Sequence, residues 1–302
     1  MTAAVRPGAG RRLRWGLEAV AFRAWLGLCR RLSPEAASNL GGWIGRRIGP
    51  RLPASARAAA NLHRALPTLE AAERARILRG MWDNLGRVAG EYPHLATITD
   101  PASGRVAVTG FGHLADAFRG ARATIAFSGH LANWEVMHVM VARQAVDCTT
   151  LVRAPNNPFV RGPLERCRAV GGGRRSPKGA QGARDLVATL RRGGLVAMLV
   201  DQRLREGVWA PFFGIEAPGP AAPAQAAVRL GAALHPVSLE RTGPARFRMT
   251  VHPALDLPPA ESGETSARVR AIATEMNAWL ESFIRARPED WLWLHRRWGK
   301  TA

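Results

Sequence analysis

After Asp100-Pro101 the chain alternates short apolar runs with helical stretches, and this alternation restricts the fold more than any other feature. RVAVTG (105–110) and ATIAFS (123–128) lead into WEVMHVMVARQ (134–144), which reads as helix, and then CTTLVRA (148–154). A helical stretch from Pro158 to Arg168 follows, then a Gly-rich turn at Gly171 to Gly173, a helix over Ala183 to Arg192 and the run LVAMLVD (195–201). Beyond a loop holding PFFG (211–214) come a helix over Pro223 to Leu230, LHPVSLER (234–241), ARFRMTV (245–251) and a long helix from about Glu264 to Arg287. Short apolar runs bounded by turn residues and separated by helical patterns predict an α/β fold, without an internal repeat. Open α/β sheets bind their ligands beyond the carboxyl ends of the strands, so the residues just after each run are the first candidates for a site.

SGHLANWEV (128–136) lies at such an end. If His130 and Glu135 shared one helix, five residues at 100° each would leave them about 140° apart. The local pattern predicts another geometry. The apolar run 123–127 is a buried strand, Ser128 and Gly129 permit a sharp change of direction, and Asn133 is a good N-cap for the following helix. His130 then leaves a strand end while Glu135 lies in the first helical turn, so the loop between can fold the two side chains together. A histidine beside a carboxylate suits general-base chemistry: the imidazole takes a proton, and the acid fixes its tautomer and stabilises the imidazolium. Donors to a developing oxyanion would come from backbone N–H groups near the helix start or from the Asn133 amide. The alternative for Glu135 is a carboxylate placed at a helix N-terminus for its dipole.

Residues 1–98 read mostly helical, with breaks at Pro34, Gly41-Gly42, Gly49-Pro50, Pro53 and Pro67, and residues 99–302 form the expected core, one continuous domain. Over about 11–32, Trp15, Ala19, Phe22, Leu26 and Cys29 recur at helical spacing, with Arg12, Arg23 and Arg30 together on another side. An apolar stripe with tryptophan beside a basic face fits a helix lying in a bilayer interface; a surface helix packed on its own domain would show the same stripe.

The 302 residues carry 43 Lys+Arg against 23 Asp+Glu, a formal charge of +20. A field of that sign attracts phosphates, anionic lipid and acidic proteins. A nucleic-acid-binding protein is the rival that the charge raises, but no recognised binding module appears and the aromatic residues form no obvious stacking platform. GGGRR (171–175) lacks the spaced glycines and Lys-Ser/Thr ending of a phosphate loop, no G-x-G-x-x-G opens a helix, and G-x-S-x-G is missing. The histidines have no ligand-like spacing and the three cysteines are scattered, so neither a metal nor a cofactor is expected. No 18-residue uncharged stretch exists and the amino terminus lacks a secretory signal, so the chain is expected to stay on the cytoplasmic side of whatever membrane it meets.

SGHLANWEV, LVRAPNNPFV (151–160), the Arg168 to Gly171 stretch, LVDQR (199–203), PFFG and PEDWLWLHRRW (288–298) resemble, in order and spacing, the late acyltransferases of lipid A biosynthesis, from about Gly16 to Trp298. The resemblance implies a glycerolipid-acyltransferase-like fold, a central mixed sheet flanked by helices. It implies transfer of a lauroyl- or myristoyl-type chain from acyl carrier protein to a hydroxyl of a Kdo-bearing lipid A precursor, at the cytoplasmic face of the inner membrane, with no cofactor, no metal and no nucleic-acid partner. The family's catalytic pair maps onto His130 and Glu135, its Asp-Gln pair onto Asp201 and Gln202, and its Arg-Pro-Asn-Asn element onto Arg153-Ala154-Pro155-Asn156-Asn157, where an alanine precedes the proline. Arg153 and Arg168 become clamps for phosphate or carboxylate, the alternative being solvated surface charges. Asp201 ends a strand, where it can orient a loop or serve the site. Trp291, Trp293 and Trp298 are either anchors near lipid headgroups or parts of a packed terminal strand. Enzymes of the same broad type that acylate glycerol phosphate or a mannosylated phosphoinositide are the nearest rivals; the former generally carry Asp where this chain has Glu135.

Overall fold

Helix-forming sequence fills the chain before any strand appears. The computed structural model describes residues 8–145, 147–152, 155–177, 179–258 and 265–299. Helices α1 (Ala9–Arg30), α2 (Pro34–Ile48), α3 (Ala54–Ala65), α4 (Ala71–Glu91) and the short α5 (Leu95–Ile98) come first. Ser33 caps α2 by accepting from the Ala36 N–H at 3.2 Å, with Pro34 at the first position, where its missing N–H is harmless.

Strands and helices then alternate: β1 (Val106–Thr109), α6 (Ala115–Phe118), β2 (Thr124–Ser128), α7 (Trp134–Gln144), β3 (Cys148–Val152), α8 (Pro158–Arg168), β4 (Arg174–Pro177), α9 (Ala180–Arg191), β5 (Leu195–Leu199), β6 (Val208–Phe212), β7 (Ile215–Gly219), α10 (Ala222–Leu230), β8 (Ala233–Gly243), β9 (Arg246–Val251) and α11 (Thr265–Ala286). Seven strands form one sheet in the order β1-β9-β8-β2-β5-β3-β4. All neighbours pair parallel except β8 with β9, so the sheet is mixed, as expected. The apolar runs of β2 and β5 are continuous because both faces are covered, whereas β1 and β9 alternate. Along β2, Ala126 packs on the side of α7, while Ile125 and Phe127 face the side of α9, α10 and α11.

The structure adds the short α6, an edge strand and a hairpin to the predicted order. The polar stretch Arg174–Pro177 is the edge strand β4, paired with β3. PFFG is the corner of the antiparallel hairpin β6–β7, with Phe213 and Gly214 at φ 55° and 71°, the two positive values that a type I′ turn requires.

Of the two readings of the α1 stripe, the structure shows the surface helix packed on its own domain. Ala19, Leu26 and Cys29 are 3%, 2% and 0% exposed, and Trp15 and Phe22 are half-buried, so this stripe packs on the protein. Of the two readings of the tryptophans of the last segment, the packed one holds. Trp291 and Trp293 are buried, with Phe212, Phe213, Leu131 and the inner faces of α3, α4 and α11 around them, and Trp298 packs against that cluster. Among the described residues, no helix is long and apolar enough to cross a membrane.

Candidate active site

Parallel pairing of β2 with β5 places Ser128 opposite Leu199. Two residues past each strand end stand His130 and Asp201, which therefore emerge side by side at the carboxyl edge although 71 residues separate them. Gly129 keeps the gap narrow: a Cβ there would lie 3.3 Å from Asp201 Oδ2. His130 donates from its backbone N–H to Asp201 Oδ2 at 2.8 Å, and its Nδ1 meets Asp201 Oδ1 at 2.7 Å. Trp291 Nε1 donates to the same carboxylate at 2.8 Å. With Nδ1–H given to Asp201, Nε2 is the basic nitrogen of the ring, and the Gln202 amide donates to it at 3.2 Å. The Asp201 side chain is fully buried and His130 is 12% exposed. Burial drives the Asp201 carboxyl upward, yet the charge and hydrogen bonds of His130, and the neighbouring His295, hold it well below the usual carboxylate range. The His295 ring lies 4.5 Å from that of His130.

The structure gives His130 Asp201, and not Glu135, as its carboxylate partner, which corrects the predicted pairing. Helix α7 begins at Trp134, and Glu135 projects from its first turn toward Tyr92 and Arg168. Tyr92 Oη donates to Glu135 at 3.0 Å, Arg168 Nε donates at 2.9 Å, and a second Arg168 nitrogen closes the fork. Burial raises the Glu135 carboxyl, but Arg168 outweighs it and the net direction is down. Arg168 is thus bound to a buried acid, not presented to an incoming anion. It also lies over the Tyr92 ring at 5.9 Å.

Asn133 forms the predicted cap, its Oδ1 accepting from the Glu135 N–H at 3.2 Å, and its Nδ2 donates to Glu91 at 2.8 Å, so the amide is engaged on both sides. Glu91 is wholly buried and is forked by Arg241 of β8, with Ser38 of α2 as a further donor at 2.7 Å. Asn84 of α4 accepts from Arg241 and donates to the Ala132 carbonyl at 3.0 Å. Ala132 has φ 45°, an unfavourable value for a residue with a Cβ, and its N–H donates to the Asp290 carbonyl. The Leu292 N–H donates to the His130 carbonyl. The loop 129–133 is therefore clamped between α4 and the segment 288–293. Arg153 lies outside the described residues.

Among the described residues, one group has metal-ligand side chains within 4.8 Å of one another: His130, Asp201 and His295. Both Asp201 oxygens already accept hydrogen bonds, so a cation there would have to displace His130 or Trp291. Asp201 as the His130 partner, Tyr92, His295 and the Asn84–Glu91–Arg241 cluster escaped the sequence reading. The signal for Asp201 was its place at the end of LVAMLVD, level with His130.

A family described as bacterial lipid A biosynthesis acyltransferase matches residues 13–300. A phosphatidylinositol mannoside acyltransferase of Mycolicibacterium smegmatis is 28% identical over 195 residues, 62% of this chain and 60% of the relative. One of Mycobacterium tuberculosis is 27% identical over 250 residues, 79% of this chain and 75% of the relative. The match thus spans less than two thirds of the first relative's length and three quarters of the second's.

Proposed function

The chain belongs to the bacterial lipid A biosynthesis acyltransferase family, and from that premise we propose that it is an O-acyltransferase that moves a fatty acyl chain from acyl carrier protein to a hydroxyl of a Kdo-bearing lipid A precursor. The observation that carries the reading is His130 with Nδ1 tied to buried Asp201 and Nε2 as its basic nitrogen. An alcohol has a pKa far above neutrality, so attack on a thioester needs a base on its proton as the C–O bond forms. In this reading the hydroxyl takes the place of the Gln202 amide at Nε2 and gives its proton to the ring while its oxygen attacks the thioester carbon. The C–S bond then breaks, and the leaving thiolate recovers the proton from the imidazolium. Asp201 holds the tautomer and stabilises the imidazolium, and the Gln202 amide, once displaced, turns to the developing oxyanion. Glu135 acts as a positioning residue that locks the first turn of α7 against Arg168 and Tyr92. Arg153 stands as a contact to the acceptor's acidic groups. The donor is assigned to an acidic carrier protein because the chain is strongly basic. The enzyme works from the cytoplasmic face of the inner membrane without crossing it.

The names of the relatives favour a second acceptor, a mannosylated phosphoinositide. Both acceptors are acidic glycolipids with hydroxyl groups, so the chemistry at His130 is the same. The test incubates the purified protein with acyl carrier protein thioester and each acceptor, and reads the products by mass spectrometry. Mass gain on the lipid A precursor supports the first reading, and gain on the mannosylated lipid alone moves the acceptor to the second. Gain on neither overturns the proposal.

A further inference from the structure

Large apolar side chains left exposed are concentrated in the first sixth of the chain. On α1, Leu13, Leu17, Val20 and Leu28 are 47–68% exposed, and Ala24 is exposed with them. At 100° per residue these positions share an arc of about 80°, opposite the buried Ala19 and Leu26. Helix α1 is thus apolar on two sides, one packed on the protein and one unpartnered. Exposed Trp43 and Ile48 of α2 and Leu52 just after it continue the pattern, which exceeds the scattered single apolar residues of an ordinary surface.

Ile48 and Leu52 also border a groove of about 280 Å³ between α1, α2 and α4, walled by Trp25, Ile44, Trp82, Leu85 and Ala89. That is roughly twice the volume of a dry apolar cavity that takes up benzene. Arginines frame the face. Arg12, Arg23 and Arg30 lie along one side of α1, Arg47 stands over the Trp43 ring, and Arg51 donates to the Arg47 carbonyl, all of them exposed. The groove is separate from the candidate active site, because Trp82, Leu85 and Ala89 face it while Asn84 and Glu91 of the same helix face the His130 loop.

We propose that this face docks on an anionic phospholipid bilayer and that the groove takes up one acyl tail of a bilayer lipid. An apolar arc framed by arginines fits the boundary between acyl chains and anionic headgroups. The proposal rests on the acyltransferase reading only in that a lipid acceptor brings the enzyme to a membrane; no residue of the His130 site belongs to the face or the groove.

The test floats the full-length protein with phosphatidylcholine vesicles, with and without phosphatidylglycerol, both doped with a phosphatidylcholine that carries a photoactivatable group in one acyl chain. The variant is Leu17→Glu with Val20→Glu, at positions 64% and 63% exposed, so its thermal unfolding should match that of the parent chain. The expected results are flotation that needs phosphatidylglycerol, at least about a tenfold loss of bound protein in the variant, and crosslinks within 41–52 and 82–89. A variant that floats like the parent overturns the docking face, and so does a lipid-free dimer that the same substitutions dissolve. Crosslinks confined to 130–135 and 201–203 overturn the groove. Acyl transfer to a detergent-dispersed acceptor, assayed in parallel, separates the readings: flotation without any transfer leaves the docking face standing and removes the acyltransferase.

Discussion

Arg168 is spent on Glu135, and its role is set by what the carboxylate would lose without it. Glu135 is buried and Arg168 nearly so, and removing one charge of such a pair leaves the other poorly solvated. Arg168→Met is therefore expected to destabilise the fold by about 3 to 5 kcal/mol in chemical denaturation, and adding Glu135→Gln should recover part of that loss. His138, one turn along α7, gives a pH signature. Burial pushes it down to about 4 from 6.5, and its Nε2 has no hydrogen-bond partner among the described residues. Between those values the unfolded chain holds a proton that the folded chain refuses. Stability should then fall as pH drops from about 6.5 to about 4, by up to about 1.4 kcal/mol per unit. Thermal unfolding at pH 7 and pH 5 checks this, and His138→Leu should flatten the dependence. The sequence made His130 legible because strand, small residues and N-cap are local signals. It favoured Glu135 as the partner because five residues of spacing are visible and a strand register is not. Asp201 reaches His130 only because β2 and β5 are neighbours, a fact of topology that no local pattern encodes.

At the scale of elements, the loop 129–133 is held in an unfavourable shape by groups from three distant segments. Asn84 supplies the donor that meets the Ala132 carbonyl, and Arg241 in turn orients Asn84. Asn84→Ala should destabilise the protein by about 1 to 3 kcal/mol, the usual loss for a buried acceptor left unsatisfied. Because His130 sits in the same loop, turnover should drop more than acceptor affinity, as a split of kcat from KM would report. The central strands β2 and β5 were legible because each is an apolar run covered on both faces, and β1 and β9 because their residues alternate between a covered and an exposed face. β4 was not, since an edge strand with the sequence RRSP carries no apolar run, and the hairpin β6–β7 was hidden by a phenylalanine in a left-handed conformation. The stripe of α1 left its direction open because periodicity gives the angle between residues but not the side on which the protein lies.

Over the whole molecule, the excess of 43 basic over 23 acidic side chains acts on encounter rather than on the fold. With acyl carrier protein as donor, kcat/KM should fall steeply with added salt, while a coenzyme A thioester of equal chain length should be the poorer donor. Equal rates for both donors at every salt concentration would remove the carrier-protein assignment. The acyl transfer itself is assigned to a histidine whose Nδ1 is tied to a buried aspartate, which leaves Nε2 to accept the proton. Single-turnover transfer from the acyl thioester to the lipid acceptor tests it most directly, measured on the parent chain, His130→Ala and Asp201→Asn with thermal unfolding on the same samples. Both folded variants are predicted to lose roughly 10² to 10⁴-fold in rate, the worth of a positioned base and of its correct tautomer. A folded His130→Ala or Asp201→Asn protein that transfers at a near-parental rate would contradict the account.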